Sequence, residues 1–361
     1  MHNHIVGTQS RDVWPKGYSL GMNTNDVCVS FQPPKLPFDV VLVTGAAGFI
    51  GSRAVRLLSE LGCRTIAVDN GYVGLPLPVA STHVVPVIAD IRNRQVMKQI
   101  FADHRPDAVL HLAAVHHIPT CERDPHLAFD VNVMGTQSLL EAAEIAGTRN
   151  IVAASSGAVY VWDSGPLVED ETPTGASDVY SITKLTNEYQ MKGWAERVGA
   201  RVHLVRLFNT IGNGDPNGHL IPDILTQIVE GDERPVVRLG NTKPKRDYIY
   251  VDDVASGFVS ALAHIMDGPP VDTFNLCTGR ELSVAELVHL MGDILGKKIE
   301  IESEPSRIRK VDRLQQLGNP GKLERKTGWK AAWNARAALT AIVEGLGYLP
   351  AASRSNVSHP A

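Results

Sequence analysis

The sequence is poor in cysteine, in long apolar runs and in charge excess of either sign. Four cysteines, Cys28, Cys63, Cys121 and Cys277, are scattered through 361 residues without a Cys-x-x-Cys pair. That spacing argues against a zinc framework, implies no metal, and fits a reducing compartment in which thiols stay free. No apolar stretch approaches the length of a membrane span, and the N-terminus lacks the apolar core of a signal peptide. Basic residues number 35 and acidic ones 39, for a net charge of −4, and the two kinds are interspersed. With no basic tract, neither nucleic acid nor a membrane surface is indicated as a partner. These absences leave a cytoplasmic globular protein as the expectation, and its length suits two lobes.

What is present is a regular alternation. Residues 1–37 are polar and aperiodic and end in Gln32-Pro33-Pro34-Lys35-Leu36-Pro37, so they read as a flexible or surface-draped leader. From there the spacing predicts strands at 39–44, 64–69, 83–89, 107–113, 150–155 and 201–207, with helices at about 48–62, 92–104, 126–147 and 179–199. Strands and helices in alternation mean an α/β protein with a doubly wound parallel sheet. After Arg206 the texture changes to Asn213-Gly214-Asp215-Pro216-Asn217-Gly218 and then to shorter mixed elements. The expected division is a dinucleotide-binding lobe at 38–207, a smaller mixed α/β substrate lobe at 208–350 with a segment near 240–265 returning to the core, and a frayed tail at 351–361.

The first strand runs from Val41-Leu42-Val43-Thr44 into Gly45-Ala46-Ala47-Gly48-Phe49-Ile50-Gly51. Three glycines at this spacing let the backbone bend sharply and let a phosphate approach the first N–H groups of the next helix. Alone, such glycines can simply tighten a turn. The second mark is Asp69, which ends the following strand; a carboxylate there binds the ribose hydroxyls of NAD and repels the extra phosphate of NADP. NAD is the expected cofactor.

In the helical segment Asp178-Val179-Tyr180-Ser181-Ile182-Thr183-Lys184, Tyr180 and Lys184 stand four apart and share a helix face. A phenol titrates near 10, and bringing it to neutrality takes about 4 kcal/mol of differential interaction. A lysine ammonium and a nicotinamide cation nearby would supply much of that, so Lys184 is expected to lower the pKa of Tyr180. Upstream, Ser155-Ser156-Gly157-Ala158-Val159-Tyr160 closes a buried strand, and Ser156 is chosen as the hydroxyl that meets the substrate oxygen. The order of glycine turn, Asp69, Asp90-Ile91, His111-Leu112-Ala113-Ala114, Ser-Ser-x-x-Val-Tyr and Tyr-x-x-x-Lys resembles the extended short-chain dehydrogenase/reductase family, in its nucleotide-sugar epimerase and dehydratase branch, over about residues 39–348.

The resemblance implies a Rossmann-type lobe and assigns roles to matching positions. Gly45, Gly48, Phe49, Ile50 and Gly51 line the pyrophosphate, Asp69 and Asn70 the adenosine ribose, Asp90 and Ile91 the adenine, and Leu112, Ala113 and Ala114 the middle of the cofactor. Tyr180 is the base, Lys184 holds the nicotinamide ribose, and Ser156 completes the triad. For a nucleotide-diphosphate sugar, the resemblance points to Asn209, to His219 and Leu220 at a helix start, to Arg246, and to Arg309 with Asp312. His111 reads as a structural strand-end residue, while His116 and His117 are candidates to face the sugar. Trp162 and Asp163 replace the glycine that often follows Val-Tyr in the family, which leaves the loop beside the sugar open. Dehydratases of the family carry Asp-Glu where this chain has Gly157 and Ala158, and its uronate epimerases often carry an arginine where this chain has Asn213-Gly214-Asp215. The resemblance therefore implies C4 epimerisation of a neutral sugar, with a UDP-hexose favoured; the alternatives are another NAD-dependent nucleotide-sugar enzyme (decarboxylase, dehydratase or reductase) and, last, a non-catalytic NAD-sensing regulator. Gln316 stands where an aromatic can narrow the pocket, leaving room for a 2-acetamido sugar. The helices near 126–147 and 179–199 imply a homodimer.

Overall fold

A computed structural model describes residues 35–73, 75–161, 165–215, 220–307 and 314–349. The leader up to 34, the tail from 350, and Trp162, Asp163, His219, Arg309 and Asp312 lie outside the described residues.

The first half follows the predicted alternation: β1 (Val40–Thr44), α1 (Gly51–Glu60), β2 (Arg64–Asp69), β3 (Val84–Ile88), α2 (Arg94–His104), β4 (Ala108–His111), α3 (Ile118–Arg123), α4 (Pro125–Phe129), α5 (Thr136–Ala146), β5 (Asn150–Ser156), β6 (Pro166–Leu167), α6 (Val179–Val198) and β7 (Arg201–Leu207). The second half contributes β8 (Asn209–Ile211), α7 (Leu220–Glu230), β9 (Val236–Leu239), β10 (Lys245–Tyr250), α8 (Val251–Ala263), β11 (Val271–Leu276), β12 (Glu281–Ser283), α9 (Val284–Leu295), β13 (Glu300–Ser303), β14 (Gln315–Gly318), α10 (Gly321–Thr327) and α11 (Ala335–Gly345).

Seven strands form one sheet in the order β11-β7-β5-β4-β1-β2-β3, every pairing parallel. Such strands are buried on both faces and read as apolar runs. Val55 and Leu58 of α1 and Phe258 and Leu262 of α8 cover one face. Met97 and Phe101 of α2, Leu139 and Leu140 of α5, and Met191 and Trp194 of α6 cover the other. The chain leaves β1 toward β2 and β3 and then crosses back to β4, so strand order reverses between β1 and β4 and opens a crevice at their C-terminal ends.

The expected return to the core near 240–265 extends further along the chain. α8 occupies part of that interval, but β11 continues the return to Leu276 as the outer strand of the main sheet. Between α4 and α5 the predicted single helix widens into a π-helical turn, Asp130–Gly135. The smaller lobe has its own core of Ile224, Leu225, Val237, Leu287, Val288, Leu339 and Ile342. Its short sheet, β12-β10-β14-β6 with β8 beside β10, faces the crevice with β8 and β10.

Candidate active site

β1 delivers the chain to Gly45, which takes φ +71°. A Cβ there would stand 2.8 Å from the Ala113 backbone nitrogen, and one on Gly51 would overlap the Gly45 carbonyl oxygen. Two backbones meet at van der Waals contact, which only glycine allows. The Gly48 amide closes the turn on the Gly45 carbonyl at 3.0 Å. α1 then starts with no capping side chain and no acid in its first turn, so its leading N–H groups remain suited to an anion.

Asp69 is fastened to that turn. One carboxylate oxygen accepts from the Ala47 amide at 3.0 Å and the other from the Gly71 amide at 2.8 Å. Asn70 donates to Asp90 at 2.9 Å. Arg92 grips Asp90 with Nε at 3.0 Å and Nη2 at 2.7 Å, and reaches Asp130 at 3.0 Å. The Arg92 hydrogen bonds hold the Asp90 carboxyl down at about 2.

His111 sits under the crossing point. The Thr136 hydroxyl spends its proton on the Asn132 carbonyl, so it accepts from His111 Nε2–H at 3.0 Å. Nδ1 is then the bare nitrogen, and it accepts from the Thr44 hydroxyl at 2.7 Å. Burial, aided by the Lys184 charge, pushes His111 down to about 3. It is a neutral structural residue.

An Asp178–Ser181 capping box starts α6: the Ser181 amide donates to the Asp178 carboxylate at 2.8 Å and the Asp178 amide donates to the Ser181 hydroxyl at 3.1 Å. Tyr180 thereby falls in the first turn, with Lys184 below it on the same face. Ser156 caps the short turn after β5, accepting from the Ala158 amide at 3.1 Å, and with Tyr180 it lines the same cavity, where its hydroxyl favours the phenolate. In the chain by itself burial pushes the Tyr180 phenol up to about 12, although the Ser156 hydroxyl opposes it; the expected lowering by Lys184 together with a nicotinamide cation concerns the NAD-loaded protein. The Lys184 ammonium donates to the Ala154 carbonyl at 2.9 Å, and burial lowers it to about 8. The Lys184 ammonium is committed to that carbonyl.

These groups surround one cavity of about 810 Å³ at the C-terminal ends of β1, β4, β5 and β7. Gly45, Gly48, Phe49, Ile50, Gly51, Asp69, Asn70, Asp90 and Ile91 line one part of it. Leu112, Ala113, Ala114, Ser156, Tyr180 and Lys184 form the floor, and Asn209, Leu220 and Arg246 the opposite wall. The Asn209 amide nitrogen is buried with no hydrogen-bond partner among the described residues. Arg246 is the register partner of Gln316. His116 and His117 also line the cavity, and His117 Nδ1 lies 2.9 Å from the Thr120 hydroxyl. Among the described residues no group of three or more His, Cys, Asp or Glu could hold a metal, and no helix is long and apolar enough to cross a membrane.

Comparison with known proteins matches this arrangement. A family model described as the NAD dependent epimerase/dehydratase family covers residues 41–277. The chain belongs to that family. Among its relatives, UDP-glucose 4-epimerase 2 of Oryza sativa is 32% identical over 319 residues, covering 81% of this chain and 78% of that one. The GDP-6-deoxy-D-mannose reductase of Pseudomonas aeruginosa is 29% identical over 309 residues, covering 84% and 95%. The solved UDP-glucose 4-epimerase of Thermus thermophilus in complex with NAD superposes with a TM-score of 0.75 at 25% identity, over 85% of this chain and 99% of that one. This family member uses NAD as its cofactor, and its glycine turn, uncapped α1 and strand-end Asp69 fit one.

Sequence reasoning overlooked three buried groups here. Asn132, in the π-helical turn, donates to the Val115 carbonyl at 2.9 Å and to the Thr183 hydroxyl at 3.0 Å, joining the loop after β4 to α6. Glu188 and Arg206 form a buried ion pair. Only Glu188 left a signal in the chain, four residues after Lys184.

Proposed function

We propose that the protein epimerises a nucleotide-diphosphate sugar at C4, with a UDP-hexose as the favoured substrate. When bound, NAD would supply a hydride acceptor for a sugar carbon that can also give the hydride back. Gly45, Gly48, Phe49, Ile50 and Gly51 hold its pyrophosphate on this reading, Asp69 and Asn70 its adenosine ribose, Asp90 and Ile91 its adenine, and Leu112, Ala113 and Ala114 its middle. Tyr180 takes the proton from the sugar hydroxyl, Ser156 orients that hydroxyl, and Lys184 holds the nicotinamide ribose. Burial raises the Tyr180 phenol, so positive charge brought close to it is what would favour the phenolate.

The observation that carries the reaction class is the wall after Ser156. Gly157 and Ala158 are buried there, with Ala158 lining the cavity and no carboxyl group at either position to expel water from the sugar. The opposite wall suits a diphosphate: Asn209 presents an unpartnered amide, Leu220 opens α7, and Arg246 contributes a guanidinium. His219, Arg309 and Asp312 are proposed for the same ligand from the sequence. Gln316 lies on the cavity wall with its amide near Gly157, and on this reading a 2-acetamido group would sit beside it.

The test is incubation of UDP-glucose and UDP-N-acetylglucosamine with the protein in deuterated water, read by mass and proton NMR. A product of unchanged mass, inverted at C4 and without carbon-bound deuterium, supports the proposal. Net NADH consumption would instead favour a reductase, the activity named for the Pseudomonas relative.

We also propose a cytoplasmic homodimer. Phe129, Met134, Ile182 and Tyr189 are exposed on the outer faces of α4, the π-helical turn and α6, and a second copy would cover them. Light scattering that finds only monomer at micromolar concentration would overturn this.

A further inference from the structure

A third functional side chain follows the tyrosine–lysine pair along the helix. Tyr180, Lys184 and Glu188 recur every four residues in α6, so one stripe of the helix carries all three. The Glu188 side chain is 1% exposed and the Arg206 side chain 4%. Glu188 Oε1 accepts from the Ser155 hydroxyl at 2.6 Å and from Arg206 Nε at 2.9 Å, and Oε2 accepts from Arg206 Nη2 at 2.8 Å. Ser155 and Arg206 are register partners on β5 and β7. One carboxylate thus fastens α6 to the two strands beneath it, one residue from Ser156. The Arg206 guanidinium lies 4.5 Å from the centre of the Tyr160 ring, and the Tyr160 hydroxyl donates to Asn275 at 2.7 Å.

Burial opposes charge on Glu188, yet the Arg206 hydrogen bonds and charge hold its carboxyl below the ordinary value. A buried pair of this kind adds little stability over well-packed apolar side chains, because desolvating two ions consumes most of their attraction. Its distinctive property is geometric. An apolar helix face tolerates sliding by a fraction of the 1.5 Å rise per residue, whereas a bidentate carboxylate–guanidinium pair does not. Glu188 lies about 12 Å along the axis from Tyr180, at the far end of the same stripe.

We infer that Glu188 and Arg206 are positioning residues: they set the register of α6 against β5 so that the Tyr180 and Ser156 hydroxyls meet. The inference rests on the proposed role of those two hydroxyls in proton transfer. The ion pair touches neither substrate nor cofactor; it acts through Ser155 and the helix.

The first variant is the double substitution Glu188→Met/Arg206→Met, which removes both charges together and leaves neither ion buried alone. The Tyr180 phenolate is titrated in the NAD-loaded protein as the ultraviolet difference between each protein and its Tyr180→Phe counterpart, a readout that needs no substrate. Moving the Ser156 hydroxyl away raises the midpoint, because that hydroxyl favours the phenolate. A midpoint about one pH unit higher, with NAD still bound and the thermal midpoint little changed, supports positioning. An unchanged Tyr180 midpoint in a folded double variant overturns it. Where the double variant does not fold, Ser155→Ala decides: a smaller rise in the same direction supports the inference, and no rise overturns it. With UDP-glucose as the probe, kcat is expected to fall about 100-fold with KM nearly constant, as for a misplacement of about 1 Å. Tyr180→Phe that retains full turnover would refute the proposed reaction while leaving the titration result to stand by itself.

Discussion

The two walls of the cleft are built differently, and on the proposed reading they would hold their ligands by different means. On the side of β1 and β2 the contacts are backbone: Gly45 and Gly51 sit where no Cβ fits, the turn is closed by its own amide, and even Asp69 is anchored by two backbone N–H groups. On the side of β8, β10 and β14 they are side chains, Asn209, Arg246 and Gln316, carried by strands of three to six residues. The glycine turn is altered only by a Cβ that forces the backbone to move, whereas the Asp69 carboxylate and the side chains of the opposite wall are each removed by one substitution that leaves the backbone in place. This division suits an enzyme family in which the cofactor is constant and the sugar varies. Between the walls, the Ser156–Tyr180–Lys184 floor depends on both, since β5 brings one part and α6 the others.

The comparison can be broken first at the floor. Tyr180→Phe should lower turnover by about 10³-fold or more while NAD stays bound, measured by NMR of the sugar product and by cofactor absorbance after desalting. Next in size is the backbone wall. Gly51→Ala places a methyl against the Gly45 carbonyl and should cost about 1–3 kcal/mol in urea unfolding together with loss of bound NAD; undiminished NAD content would show that the turn can relax.

Asp69→Ala, which keeps the turn but removes its carboxylate, should weaken NAD binding about 10-fold and relax discrimination against NADP, read by titration with both cofactors. On the opposite wall, Arg246→Ala should raise KM for a UDP-sugar about 10-fold and leave NAD affinity unchanged, since a lost charge-assisted contact to phosphate is worth about 1.5–3 kcal/mol before solvent screening. The smallest effect is expected from Gln316→Tyr, a few-fold shift in kcat/KM away from the 2-acetamido sugar without change toward the plain hexose.

Much of this was legible in the chain because it is local. β1, β2, β7 and α6 fall within a residue or so of their predicted bounds, since apolar periodicity and caps such as Asp178 operate over a few residues. The glycine turn, Asp69 and the Tyr180–Lys184 pair are likewise read from spacing, and all of them reach the same cavity. The rise that burial imposes on the Tyr180 phenol in the chain by itself was not legible. It depends on how deeply the phenol is buried and on where the Lys184 ammonium points, and the Ala154 carbonyl that receives it is 30 residues away in sequence. The return of β11 to the main sheet was missed for a similar reason: its register with β7 is a pairing between distant segments.

By itself, then, the sequence determined the order of strands and helices, the backbone turn that only glycine permits, and the helix face shared by Tyr180, Lys184 and Glu188, because each follows from neighbours along the chain. The tertiary structure alone decided the neutral tautomer of His111 between Thr44 and Thr136, the unpartnered amide of Asn209 and the joining of Glu188 to Ser155 and Arg206. Those depend on which distant groups are buried together, and in a desolvated interior the partner that folding supplies sets the charge, proton and geometry of each side chain.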